Sequence, residues 1–144
     1  MAGGSKSNFL ELELLDHVLG NAAYSAPATV YIALFTGMGT EAQAEANTNF
    51  TECTGGSYAR ATVTNNATNF PAATTVAGTG TKSNGADITF ATATASWGTV
   101  YYFGIYDAAS GGNLLYWGTL STPKSIAVGD TAKFSAGDLK ITED

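Results

Sequence analysis

Thr29-Val30-Tyr31-Ile32-Ala33-Leu34-Phe35-Thr36 decides how this chain is read. Val30, Ile32 and Leu34 alternate with Tyr31, Ala33 and Phe35, so an extended backbone carries apolar side chains on both of its faces. Such a strand belongs in the middle of a sheet that is covered on both sides. Residues 29–36 are therefore expected to form a central strand.

Upstream of Pro27 the apolar period is 3.6 instead of two. Phe9, Leu12, Leu15 and Leu19 recur at helical spacing, and Leu10, Leu14 and Val18 widen the stripe. Asn8 with Glu11 three residues later reads as a capping box, and Gly20 supplies the stop. Glu11, Glu13 and Asp16 take much of the remaining face. A helix this apolar needs a partner, either its own sheet or a neighbouring subunit.

Downstream, residues 58–64, 86–90, 100–106, 114–120, 125–128, 131–134 and 139–142 read as further strands. Residues 107–113 form a Gly-Gly hairpin connection, and Val128-Gly129-Asp130 turns the chain again. Two polar excursions, 37–57 and 65–82, interrupt this pattern. Loops of that length are usually functional or mobile, and 37–57 is expected to reach a neighbour. With about seven strands at regular spacing, the fold class is all-β. The chain reads as a single-domain β-sandwich of jelly-roll character with one N-terminal α-helix. Residues 1–20 would be the helical arm and residues 21–144 the sandwich. Tyr31, Phe35, Phe103 and Tyr116 are its expected core.

Composition narrows the function. The chain has 144 residues and a net charge of −6, from six Lys+Arg against twelve Asp+Glu. That surface repels phosphate backbones, which disfavours nucleic acid as a partner. No apolar run is long enough to span a membrane, so no membrane partner is expected. The start, Met1-Ala2-Gly3-Gly4-Ser5-Lys6, leads into an acid-studded helix and does not read as a signal peptide. Only 12% of residues are charged, while Ala and Thr make up roughly a third of the chain. A neutral, Thr-rich surface suits a protein held in an assembly.

Reactive chemistry is sparse. His17 is the only histidine and Cys53 the only cysteine, so neither a zinc cluster nor an internal disulfide can form. His17 lies in the last helical turn, where it meets the negative end of the helix dipole. Cys53 falls in a flexible-looking loop beside Glu52, which raises its pKa and leaves it unreactive. Gly78-Thr79-Gly80-Thr81-Lys82-Ser83 lacks the glycine that a phosphate loop needs before its lysine. Asp107 and Asp130 sit in turns, where aspartate holds backbone N–H groups. Asp87, Glu41, Glu45 and Glu52 are the remaining candidates for paired carboxylates. The reading is of no catalytic residues, no metal and no cofactor. The aromatic run Trp97, Tyr101, Tyr102, Phe103 and Tyr106, with Tyr116 and Trp117, is expected to serve core and subunit contacts ahead of a sugar platform.

Several stretches carry a resemblance. Ser7-Asn8-Phe9-Leu10-Glu11 running to His17-Val18-Leu19-Gly20 resembles the opening of small structural proteins of tailed bacteriophages, as does Pro27-Ala28 with the strand after it. Gly56-Ser57-Tyr58-Ala59-Arg60, Trp97-Gly98-Thr99-Val100, Phe103-Gly104-Ile105-Tyr106-Asp107 and Gly112-Asn113-Leu114-Leu115-Tyr116-Trp117-Gly118 extend it over nearly the whole chain. The resemblance implies a non-enzymatic, β-rich virion protein, made in the host bacterial cytoplasm. Such proteins are labelled tail-fibre-like or capsid accessory.

The chain has neither the length nor the repeats of a long fibre, so a capsid decoration or cement protein that binds and stabilises the major capsid protein shell is expected first. A tail-fibre or tail-tip module for host-surface glycan attachment, with tail proteins as partners, is the alternative. A homo-oligomer is expected, with a trimer as the arrangement the resemblance points to. Phe9, Leu12, Leu15 and Leu19 would anchor the helix on a partner, and Tyr102 would face a partner or receptor.

Overall fold

A computed structural model of the chain describes residues 3–143. The described elements run, in chain order, β1 (Gly3–Lys6), α1 (Asn8–Val18), β2 (Thr29–Gly37), α2 (Glu41–Glu45), β3 (Thr51–Glu52) and β4 (Ala61–Thr64). They continue with β5 (Thr74–Val76), β6 (Thr79–Ser83), β7 (Ile88–Thr92), β8 (Gly98–Tyr106), β9 (Leu114–Ile126), β10 (Thr131–Phe134) and β11 (Lys140–Glu143). The architecture is the expected all-β sandwich with an N-terminal helix. It has more strands than the pattern gave, and a second helix of one turn.

β2 does lie in the middle. It pairs antiparallel with β8 on one side, Tyr31 opposite Tyr106 and Phe35 opposite Tyr102. On its other side it takes β4 and then β3. β9 follows β8, and β1 completes the six-stranded sheet beyond β9. Val30, Ile32 and Leu34 enter the main core, between this sheet and a second layer made of β7–β10 and β5–β6–β11. Phe103 meets Phe134 across that gap at 6.0 Å, edge to face.

Ala33 and Phe35 point the opposite way, into a smaller core with Tyr106, Leu114 and Trp117. The polar segment after β2, expected as an open loop, covers that core. Thr40 and Gln43 form a capping box that starts α2. α2 buries Ala44 completely, and Phe50 stacks on Phe35 with ring centroids 4.1 Å apart. A five-residue helix is too short to show a period in the sequence, which is why the segment reads as a loop.

Other differences have local causes. The helix is capped by Ser7, not Asn8: the Ser7 hydroxyl accepts from Leu10 N and donates to the Leu114 carbonyl, which ties the cap to β9. The strand expected at 114–120 continues to Ile126, so the turn at 127–130 does not close a hairpin. It carries the chain from β9 in one layer to β10 in the other, where β10 pairs with β7.

At Gly104 of β8 the backbone lies close under the side chains of Phe35 on β2 and Leu114 on β9. A Cβ there would lie 2.8 Å from the Phe35 ring and 3.0 Å from Leu114 Cδ1. Gly104→Ala is expected to lower stability by about 1–3 kcal/mol through overpacking. A urea denaturation curve with an unchanged midpoint would refute this account of the second core.

Candidate functional site

Arg60, whose side chain is only 7% exposed, is a densely connected polar group. Its Nε and Nη2 donate to the two carboxylate oxygens of Glu52, each at 2.9 Å, and Nη1 donates to the carbonyls of Ala108 and Gly111. The guanidinium also lies 3.7 Å from the centroid of the Tyr106 ring. Tyr58 donates its hydroxyl to Glu52 Oε1 and accepts from Leu34 N. Burial alone would pull the Arg60 pKa down, but the hydrogen bonding and charge of Glu52 outweigh it and the pKa is raised. Burial pushes Tyr58 up, and Tyr106 up to about 12, so both phenols stay protonated.

This constellation ties separate segments of the chain together. It fastens the 107–113 connection to β3 and β4. Asp107 grips the same connection from within, taking Asn113 N on Oδ1 and Asn113 Nδ2 on Oδ2. Three further aspartates do similar work. Asp130 takes Ala127 N and Asp138 takes Ser135 N. Asp87 takes Ala136 N and Lys133, contacts that hold its pKa below the usual carboxylate range. Among the described residues no group of three or more His, Cys, Asp or Glu is placed to hold a metal.

His17 lies at the helix end as expected, its Nδ1 accepting from Tyr24 N at 3.0 Å. Residues 78–83 belong to the β5–β6 hairpin. Cys53 is not in a flexible loop. It is buried just after β3, its N–H bonded to the Leu34 carbonyl. Burial first, then Glu52, pushes its thiol up to about 11.

The anchor residues fall into two groups. Leu10 is buried in the main core, and Phe9 and Leu14 pack against it half-buried. Leu12, Leu15, Val18 and Leu19 face outward, 65%, 57%, 73% and 78% exposed. Phe9 thus stands apart from Leu12, Leu15 and Leu19, which share one exposed stripe. Tyr102 is half-buried against the second core, and its neighbour Tyr101 is the more exposed ring, at 42%. A groove of about 590 Å³ also opens between the second half of β9 and β10, which no sequence pattern marks.

Asp87, Asp107, Asp130 and Asp138 are tied to backbone N–H groups, and α1 leaves an apolar face exposed. The model of the family described as Podophage GP4 fiber I protein gp80 matches residues 5–142. The chain belongs to this family. Membership makes it a phage fibre structural protein associated with other virion proteins. No curated protein matches the chain. The fibre family spans α1, both cores and the Arg60 lock alike, and no described helix is long and apolar enough to cross a membrane.

Two outcomes test the locks. Arg60→Lys keeps the charge but loses the planar fork. It is expected to cost about 2–4 kcal/mol and to speed amide exchange across 107–113; unchanged exchange there would dismiss the lock. For Cys53 the folded pKa is raised, so its contribution is complete below the ordinary value of 9.0 and is lost as pH rises towards about 11. Stability of the Cys53→Ala variant is expected to change less over that window than that of the parent chain. Parallel pH–stability curves would contradict it.

Proposed function

We propose that the chain is a non-catalytic, fibre-associated module of a tailed-phage virion, fixed to another virion chain through Leu12, Leu15 and Leu19 of α1 and taking part in attachment to the host surface. The exposed stripe carries this reading. Burying the exposed part of each leucine is worth roughly 1–2 kcal/mol, and a contact of that kind offsets the solvent exposure of an otherwise costly apolar face.

The fibre family supports a tail position over the capsid-cement role that compactness alone favours. Attachment to a host glycan draws support from Tyr101, whose exposed ring is better placed than Tyr102 to stack on a sugar face.

Immunogold microscopy of intact particles, with antibodies raised against the recombinant chain, is the direct test. Label on the tail or its fibres is expected. Label spread over the head would reinstate the cement role and end this proposal. Particles assembled with Leu12→Glu/Leu15→Glu are expected to lack the chain, although the variant keeps its fold because both side chains are exposed. Normal incorporation of that variant would remove α1 as the attachment surface.

A further inference from the structure

Of the chain's nine asparagines only Asn84 precedes a glycine. Asn-Gly is the dipeptide most prone to lose its side-chain amide, because a glycine has no Cβ to hinder attack of its main-chain nitrogen on the asparagine Cγ. The fold nevertheless calls for both residues at this point.

Asn84 lies between β6 and β7 and is only 2% exposed. Its Nδ2 donates to the carbonyls of Ala86 and Ser135 at 2.9 Å and, more weakly, to that of Phe134 at 3.4 Å. Its Oδ1 accepts from Leu139 N at 2.9 Å. Its own main-chain N–H donates to the Leu139 carbonyl, and its carbonyl accepts from Gly137 N. One side chain thus holds the turn between β10 and β11 against the end of β6. Gly85 is fixed by crowding: a Cβ there would lie 2.5 Å from the Thr68 carbonyl oxygen and 2.7 Å from Pro71 Cγ.

The same contacts keep the pair from reacting. Cyclisation needs the Asn84 carboxamide to swing onto Gly85 N, but both ends of that amide are held. The Gly85 N–H is itself bonded to the Asn69 carbonyl at 2.7 Å. We propose that Asn84-Gly85 is a self-modification site, held inactive by the fold and converted irreversibly whenever this corner opens. The Gly85 N–H loses its proton to solvent hydroxide, and the nitrogen bonds to Asn84 Cγ. The Cγ–Nδ2 bond breaks, a proton returns to Nδ2, and ammonia leaves. Water then opens the succinimide ring at one of its two carbonyls, giving aspartate or isoaspartate.

Neither product fits the site. Aspartate still accepts from Leu139 N, but it turns an oxygen toward the carbonyls of Ala86, Phe134 and Ser135 with no N–H to offer them. Isoaspartate lengthens the main chain by one carbon beside Gly85, under the 68–71 segment. An opened chain therefore has a limited time in which to close again, and its working stability is set by a rate. This holds wherever on the particle the chain sits.

The test is to incubate the full chain in mildly alkaline buffer, folded and in concentrated urea, at one temperature. Peptide mass spectrometry reads each asparagine by the mass gained when water replaces ammonia. In urea Asn84 is expected to convert ahead of the other eight asparagines. In the folded chain it is expected to convert at least about a hundredfold more slowly. On dilution from urea, recovery of the native near-ultraviolet circular dichroism should fall in step with the converted fraction. Asn84→Asp, which carries the aspartate product from synthesis, should unfold at a lower urea concentration than the parent chain or fail to fold.

Conversion of the folded chain at the rate seen in urea would remove the protection. Another asparagine converting first would move the site. Recovery that is lost before any conversion, or complete after it, would detach refolding from the amide, as would an Asn84→Asp midpoint equal to the parent's. Each of these results overturns the proposal.

Discussion

A sheet whose central strand is apolar on both faces has to be covered twice, and the rest of this structure follows from that constraint. Val30, Ile32 and Leu34 are covered by a second β layer that contributes Phe90 and Phe134. Phe35 on the opposite face is covered by the chain's own next segment, through Ala44 and Phe50. Two covers of different kinds leave a junction where strands, loop and connection meet, and Arg60 occupies it. Its fork converts Glu52, the 107–113 connection and the Tyr106 ring into one rigid corner. Several of the chain's scarce charges, Arg60, Glu52, Asp107, Asp130 and Asp138, are thus committed to this corner and to turn N–H groups.

The central strand was legible because its signal is local and its period unambiguous. The same holds for the turn aspartates, whose hydrogen bonds reach only a few residues along the chain. What escaped was non-local. Gly3-Gly4-Ser5-Lys6 has no apolar alternation, and it is a strand because its backbone pairs with β9, Lys6 opposite Tyr116. Ser7 and Asn8 are equally good caps on paper, and the Leu114 carbonyl decides for Ser7. Nothing in the spacing of Glu52 and Arg60 announces a buried pair. The helix shows the limit most clearly: it has more apolar residues than one face can hold, and only the packed structure says that Leu10 goes in while Leu12 and Leu15 stay out.

That surplus is the feature on which the proposed attachment role rests. A helix built only to cap its own sheet would have ended its apolar content at Phe9, Leu10 and Leu14. In a chain with so few charges, a bare leucine stripe bordered by acids gives a surface both stickiness and direction. Under the proposed attachment role, this is the face that a virion partner would cover.

The pairing of β1 with β9 also governs how the domain takes mechanical load. Force delivered through α1 reaches the sheet at Ser7, and from there it passes into the rungs that join Gly3 to Thr119 and Lys6 to Tyr116. Those rungs lie across the strands. A pull directed along β9 shears them all together, whereas a pull at right angles would peel them singly. The orientation in which α1 is held therefore sets whether the domain behaves as a stiff link or as a zip.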